Sequence, residues 1–480
     1  RRLKLVSPAK LVGLARWTLQ SGVIKMGIAI LLNMLTLLVS TAGLTERDLL
    51  SKRPQRRIAG VPVVNYDLTQ SRPSGNGATV VWSKWLVFLK PGVTDEELVD
   101  VFTQGPCKSS LRGHPSKGGV PFVRALCDEK DLEVTLLGYS QRFAFIEPDA
   151  EVSLVPATPA PPPDWGTKQS ASWGLDRIGV PDTRRTGKGV HIYILDTGIY
   201  TKHTDFEDRA IPTLDLTGGS VVECNGDPAC ALDGNGHGTH CAGTAGGRSY
   251  GVAKEATLHA VKVLTNEGSG QFSWTVAALD WIAVSGARPA VASLSLGGLG
   301  RLESMMTAVD VAVAAGVVVV VAAGNANSNA CYFTPAFVPS AITVGATEDS
   351  DARAYYSNTG WCVDLYAPGS SITSAWIGSD VDSARLSGTS MACPHVSGGA
   401  ALLLHSNPAM RPAEVASALT SLAERNVVQG LSWWDSNLLL SVDNVVSRAV
   451  SQNASAILAP STESVRRSAL GVERPLLTSE

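Results

Sequence analysis

At 480 residues the chain is too long for one ordinary domain, so two or more folded units with processed or flexible ends are expected, and there is ample length for a large core. Charged residues make up 17% and hydrophobic residues 44% of the chain, a globular balance. A net charge of -3 gives no electrostatic reason for a nucleic-acid or anionic-membrane partner, which leaves polypeptides and small molecules as substrates.

The first notable segment is Gly27 to Val39 (GIAILLNMLTLLV), followed by the small residues Ser40, Thr41 and Ala42. It has the form of a signal-peptide apolar region and cleavage site, and it is short of the about 20 apolar residues that a spanning helix wants. The chain begins at Arg1, and Met26 would start a compact signal; a start further upstream would make the same stretch a signal anchor. Residues 1–43 are therefore expected to direct secretion, with membrane anchoring as the alternative. Residues 44–82, rich in Arg, Pro, Gly and Ser and carrying the basic run KRPQRR from Lys52 to Arg57, are expected to form a poorly ordered spacer.

From Trp85 the sequence WLVFLKPGV predicts a strand ending at a Pro-Gly turn, and Thr94 with Glu97 three residues later predicts a capping box that opens an amphipathic helix. A later strand, Phe143 to Ile146, leads into EPDAEVSLV. Residues 83–155 therefore make a small α+β unit. The proline-rich stretch 156–164 is expected to be an extended, exposed linker. Beyond it the runs VHIYIL (Val190 to Leu195) and VVVVVA (Val317 to Ala322) are continuously apolar, as strands of a parallel sheet covered on both faces are, and they alternate with helical stretches. Residues 165–448 are predicted to be one large α/β domain, and the polar residues 449–480 a disordered tail; there is no internal repeat.

The eight cysteines suit an exported protein, because disulfides persist in oxidising compartments. None has zinc-ligand spacing, and Cys224 and Cys230 in CNGDPAC are expected to close a local loop.

Three segments place a reactive side chain where one element gives way to another: ILDTGI with Asp196 at a strand end, DGNGHGTHCAG with His237 before a helix, and LSGTSMACPHVSG with Ser390 opening a helix. A serine hydroxyl needs a base to take its proton, and a histidine serves as that base when a third group fixes its tautomer and stabilises its charged form. Aspartate, histidine and serine supply these roles, in the chain order of subtilisin and not that of chymotrypsin or the α/β-hydrolases. Taken singly, Asp196 could cap a turn, and His240, His259 and His395 match no catalytic position.

These segments and their spacing resemble the subtilase family, and in particular its proteinase K branch. The similarity extends through SWGLDRI near 172, YGVAKEATLHAVKVL at 250–264, ASLSLGG at 292–298 and VAAGN at 321–325, covering 172–405. The resemblance implies a subtilisin-like α/β fold with a mostly parallel central sheet flanked by helices, and a serine endopeptidase working through an acyl-serine intermediate. It implies that Asn325 completes an oxyanion hole with the backbone N–H of Ser390, although an asparagine after a strand is also a common turn residue. Gly268, Ser269 and Gly270 on one side, and Ser295, Leu296 and Gly297 on the other, are expected to pair with an extended substrate. A first specificity pocket lined by Leu296, Gly297, Ala322, Ala323 and Gly324 should accept large apolar or aromatic side chains.

The unit at 83–155 resembles the family's ferredoxin-like inhibitory propeptide, through WLVFLKPGV and FAFIEPDAEVSL; an ordinary accessory domain is the competing view. The resemblance implies a zymogen whose own amino-terminal unit assists folding, is cut off between Val155 and Ser170, and then inhibits. It further implies a disulfide between Cys331 and Cys362, as in aqualysin-like relatives, with Cys107 and Cys127 as a pair inside the propeptide. Cys241 matches the buried free cysteine of proteinase K, and Cys393 is expected to be free and packed. No organic cofactor is implied, whereas a structural calcium is, at the carbonyls of Pro335 and Phe337 and the carboxylate of Asp364; a turn or salt-bridge role competes for Asp364. The expected partners are protein and peptide substrates and the chain's own propeptide, and the expected state is a monomer. A subtilase-fold binding protein with a permanently clamped cleft is the rival function. The sequon at Asn453 offers a glycosylation acceptor.

Overall fold

The computed structural model describes residues 56–66, 84–154, 158–159, 173–180 and 187–443. The signal-like segment, most of the spacer, the sequon and the carboxyl-terminal tail lie outside the described residues, as do 155–157 and 160–172. Among the described residues, no helix is long and apolar enough to cross a membrane.

The amino-terminal module consists of β1 (Lys84–Leu89), α1 (Asp95–Gln104), β2 (Lys108–Arg112), β3 (Phe122–Leu126), α2 (Glu129–Leu136) and β4 (Phe143–Pro148), with an antiparallel sheet in the order β2-β3-β1-β4. The predicted capping box is present: Glu97 N donates to Thr94 Oγ1 at 3.3 Å and Thr94 N to Glu97 Oε2 at 3.0 Å. One face of the sheet packs on α1 and α2 through Trp85, Val87, Leu98, Phe102, Leu132 and Ile146.

Residues 56–66 depart from the spacer expectation. Ile58, Val61 and Val63 are buried in this same core, and Val64 N donates to Ile146 O at 2.9 Å, so the segment runs alongside the edge strand β4. The composition of 44–82 as a whole hides a short apolar stretch, IAGVPVV, long enough to cover a sheet edge.

The module ends in β5 (Glu151–Leu154), and the body follows with α3 (Trp173–Ile178), β6 (His191–Asp196), β7 (Ala210–Asp215), α4 (His237–Gly246) and β8 (Thr257–Lys262). It proceeds through α5 (Phe272–Ser285), β9 (Ala290–Leu294), α6 (Glu303–Ala314), β10 (Val317–Ala322), β11 (Ile342–Thr347), β12 (Leu365–Pro368), α7 (Thr389–Ser406), α8 (Pro412–Leu422) and β13 (Leu438–Leu439). The main sheet has the order β7-β8-β6-β9-β10-β11-β12-β13, all parallel, with the short antiparallel strands Val222–Glu223 and Glu424–Arg425 at its two edges. Val317–Ala322 is buried at every position, as its unbroken apolar run requires. From β6 the chain goes to β7, returns to β8 beside β6, and then crosses to β9 and winds outward on the other side; a ligand cleft is expected at the carboxyl end of the strand where the two sides meet, β6. Asp196 is the last residue of that strand.

The other face of the module's sheet shares one buried cluster with the body: Leu86, Phe88, Phe122 and Val152 pack with Phe272, Val276 and Leu279. Residues from Ile58 onward accordingly form one compact unit instead of two bodies joined by a linker. Polar contacts reinforce the joint. Neither α5 nor α6 has a side-chain cap from its own N-cap residue, and the module supplies both. Asp149 accepts from Ser273 N at 3.1 Å and Ser273 Oγ at 2.7 Å while paired with Arg124 at 2.9 Å. Glu147 accepts from Glu303 N and Ser304 N, both at 3.0 Å. In the opposite sense, Asp280 of α5 accepts from His114 N and Val120 N of the module at 3.0 and 2.7 Å. Burial pushes all three carboxyl groups above their ordinary pKa, against the hydrogen bonds that favour their ions. The linker expectation also fails locally, because Thr158 and Pro159 pair with Ser387 and Leu386 as an added strand.

Because Glu147 satisfies two orphaned helix N–H groups, Glu147→Ala should lower the stability of the full-length chain by about 1–2 kcal/mol. Chemical denaturation of the full-length protein measures this, and an unchanged midpoint would show that water replaces the cap.

Candidate active site

Asp196, at the end of β6, is fully buried and accepts a hydrogen bond from its neighbour Thr197 N at 2.7 Å. Its two oxygens lie 2.8 and 3.0 Å from His237 Nδ1. This contact orients the ring and leaves Nε2 as the nitrogen available to a reacting group. Nε2 is buried and has no hydrogen-bond partner among the described residues.

His237 is the first residue of α4, and the glycines around it have separate causes. Gly236 sits at φ 106°, in the left-handed region, where a Cβ would also meet the Trp376 ring at 2.6 Å. A Cβ on Gly238 would lie 2.1 Å from the carbonyl of Gly198, so its absence lets α4 close onto the turn after β6. The loop before the helix is tied by Asp233, which accepts from the N–H groups of Asn235, Gly236 and Thr239, each at 2.9 Å, and from Thr197 Oγ1 at 2.9 Å. Lys262, at the register position beside Asp196 on β8, donates to Thr197 O and to Asn266 Oδ1. Thr197, Asp233 and Lys262 thus organise the pair, and sequence reasoning missed them. The aspartate preceding G-x-G at a helix start was the available signal for Asp233.

Burial opposes a charged imidazole at His237, but the Asp196 carboxylate favours it, and the ring is held well above its ordinary pKa of 6.5. The other histidines differ. Burial, then the nearby His237, pushes His240 down to about 3; burial, then His191, does the same to His259; burial takes His395 to about 4. His240 Nε2 faces the carbonyls of Ile372 and Ala384, and His395 Nδ1 that of Met391, as neutral rings bound into the fold.

Ser390 is the second residue of α7, fully buried, with Oγ 3.3 Å from Ser295 O. Ser390 therefore sits at the positive end of an 18-residue helix. Asn325 follows β10, and its Oδ1 accepts from Thr389 N at 2.9 Å and Thr389 Oγ1 at 2.8 Å. The Thr389 hydroxyl in turn accepts from Gly324 N at 3.1 Å. Thr389, another residue that sequence reasoning passed over, thus fixes the amide plane of Asn325.

On either side of these groups run the two rims expected to hold an extended chain, and β5 lies between them. Ser269 and Gly270 pair with Ser153 and Val152, Leu154 N donates to Gly268 O at 2.9 Å, and Leu296 and Gly297 pair with Leu154 and Ser153. Beside β5 is a cavity of about 240 Å³ lined by Gly297, Ala322, Ala323, Gly324, Asn325 and Phe333, among others. Leu296 is not among its lining residues: its side chain is buried in the core with Val152 and Phe272, because alternate residues of a strand point to opposite faces. A second cavity, about 190 Å³ and lined by Trp173, Tyr250, Ile372 and His395, contains none of Asp196, His237, Asn325 and Ser390.

Asp364 accepts from Thr343 N at 2.8 Å, has no cationic side chain within ion-pair distance among the described residues, and is pushed up to about 6 by burial. Pro335 and Phe337 are buried on a neighbouring loop, and the Pro335 carbonyl accepts from Val338 N at 2.9 Å. A desolvated carboxylate and backbone carbonyl oxygens are the kind of donor a hard cation takes.

Cys107–Cys127, Cys224–Cys230 and Cys331–Cys362 are disulfide-bonded, and Cys241 and Cys393 are free and buried. Burial raises the Cys241 thiol and takes Cys393 to about 12, so both stay protonated.

The comparisons with known proteins point to one family. The model of the subtilase family matches residues 187–444, over half of the chain. An extracellular serine proteinase of Thermus sp. (strain Rt41A) is 47% identical over 320 residues, which are 65% of this chain and 73% of that protein. Alkaline serine exoprotease A of Vibrio alginolyticus is 42% identical over 295 residues, 60% of this chain and 52% of the relative. The solved structure of a cold-adapted subtilisin-like serine proteinase, 42% identical, superposes with a TM-score of 0.51 and covers 57% of this chain and 99% of its own.

With six of the eight cysteines in disulfides, the folded chain should give no reaction with a thiol reagent, and the denatured, unreduced chain two thiols. Spectrophotometric thiol titration in the presence and absence of denaturant decides this, and any other number refutes the pairing.

Proposed function

The chain belongs to the subtilase family and is a subtilisin-like serine endopeptidase, and on that premise we propose that Asp196, His237 and Ser390 are its catalytic triad and Asn325 its side-chain oxyanion donor. The observation that carries this assignment is the buried His237–Asp196 contact at the end of β6, which holds the ring above its ordinary pKa and leaves Nε2 without a partner among the described residues. In the reaction, Ser390 Oγ attacks the scissile carbonyl carbon while its proton passes to His237 Nε2. The negative charge on the carbonyl oxygen is met by Asn325 Nδ2 and Ser390 N–H. The proton then goes to the leaving amine as the C–N bond breaks, leaving an acyl-serine. Water attacks that ester, giving its proton to His237 and releasing the acid and Ser390. Asp196 accepts from Nδ1–H throughout and steadies the imidazolium. The chemistry takes no organic cofactor.

The activity waits on removal of the amino-terminal module, which acts as an inhibitory and folding-assisting propeptide. Support comes from β5, which occupies both rims as an extended substrate would, and from the caps that Asp149 and Glu147 provide to α5 and α6. Leu154 stands opposite Leu296 before the Ser390 region, and Thr158 stands opposite Ser387 beyond it, so the bonds joining Leu154 to Thr158 are the proposed site of self-cleavage. The cavity beside β5 has no charged lining, which favours large apolar or aromatic P1 side chains. Three disulfides and the extracellular relative support secretion. Asp364, with the carbonyls of Pro335 and Phe337, is proposed to hold a structural calcium whose role is to bind these loops together.

In expression of the full chain, wild type should mature with a new amino terminus between 155 and 158, take a fluorophosphonate label and cleave peptides with P1 Phe at least about tenfold better than P1 Arg, whereas Ser390→Ala should stay full length and inert. Wild type that stays intact and inert would overturn the zymogen reading, and processing without later activity would favour the clamped one. Because His237 is active only when neutral and is held above 6.5, kcat/KM should be lost on acidification with a midpoint above pH 6.5. Asp196→Asn should lower kcat about 10⁴-fold. A midpoint at or below 6.5 would show that Asp196 does not govern the base. Calcium should raise the melting temperature of wild type and not of Asp364→Asn; equal responses would refute the site.

A further inference from the structure

The carbonyl oxygen of Ser390 lies in the first turn of α7, and its α-helical partner would be the N–H of residue 394. Residue 394 is proline, which has no N–H and whose ring crowds the carbonyl four residues earlier. In a residue that is fully buried, water is not at hand to compensate. Two side chains take up this oxygen: Ser295 Oγ donates to it at 2.9 Å and Cys241 Sγ at 3.4 Å. Ser295 holds the same residue a second time, since its own carbonyl lies 3.3 Å from Ser390 Oγ. Cys241 is one helical turn beyond His237, with Sγ 3.8 Å from His237 Nδ1. Ser295 directly follows β9, the neighbour of the strand that ends in Asp196. The elements bearing the acid's neighbour strand, the base and the nucleophile therefore meet at one carbonyl oxygen.

We propose that the Ser295 hydroxyl, assisted by the Cys241 thiol, is a positioning group for the nucleophile: it binds the Ser390 carbonyl that Pro394 leaves without a helical donor, and so fixes where Ser390 Oγ and Ser390 N–H stand. The proposal rests on Ser390 being the nucleophile. It gives the side chain of Ser295 a task separate from that of its backbone, which belongs to the substrate rim. Burial raises the Cys241 thiol and keeps its S–H as a donor.

The test is a double-mutant cycle between Ser295→Ala and Pro394→Ala, the second of which restores an N–H aimed at Ser390 O. Ser295→Ala should lower kcat about ten- to hundredfold with KM little changed, because the backbone that meets substrate is intact. Fluorophosphonate labelling should slow in parallel, and Ser295→Thr, which keeps the hydroxyl, should retain activity. In the Pro394→Ala background the loss caused by Ser295→Ala should shrink to about threefold or less. Should Ser295→Ala fail to fold, recovery of folding on adding Pro394→Ala supports the assignment and lack of recovery overturns it. Wild-type kcat in Ser295→Ala, or an equal loss in both backgrounds, also overturns it. Ser390→Ala, run alongside, separates the premise: if that variant still hydrolyses peptide, it is the nucleophile assignment that fails.

Discussion

The cleft depends on a carboxylate and an imidazole held 2.8 Å apart with almost no water on either. Such a pair survives burial only when each partner is fixed and the remaining lone pairs are taken up. The fold meets both conditions with backbone: Thr197 N donates to Asp196, Gly238 allows α4 to close against the turn after β6, and Asp233 ties down the loop that delivers His237. Lys262 lies near the buried carboxylates Asp233 and Asp196, although burial lowers the pKa of its ammonium against their attraction. The parallel sheet contributes the site itself, because its reversal at β6 opens a crevice at the end where Asp196 stands.

Ser390 is held by a different device. Asn325 and Ser390 come from segments 65 positions apart, yet Thr389 joins them with two hydrogen bonds to one amide oxygen. At the same point the helix gives up one of its own bonds at Pro394, and Ser295, directly after β9, takes the freed carbonyl. Such local departures from regular structure are expected where geometry serves chemistry, since consistency across levels is relaxed at functional sites.

The amino-terminal module and the body are coupled through both apolar and polar terms. Phe88 and Phe122 enter the body's core cluster, and the module's carboxylates finish helices that the body leaves uncapped. The body is thus incomplete at the starts of α5 and α6 without the module, which is the arrangement expected of a partner that must be present while those helices form. The same interface lays β5 between the two rims of the cleft, paired with both.

The sequence by itself determined the parts that depend on local rules. Continuous apolar runs read correctly as parallel strands, Thr94 and Glu97 read correctly as a capping box, and the motifs around Asp196, His237 and Ser390 led to the subtilase family that the comparisons bear out. What it did not yield depends on distant pairing. Ile58, Val61 and Val63 sit in a polar, proline-bearing stretch whose average hides them, and only the exposed edge of β4 explains their burial. Thr158 and Pro159 were read as linker because a two-residue strand has no period to detect. Leu296 was placed in the pocket by its neighbours in sequence, but the pleat turns its side chain into the core. The contributions of Thr389, Asp233 and Ser295 are decided by which atoms of remote segments come within hydrogen-bond distance, and that is a property of the tertiary structure alone.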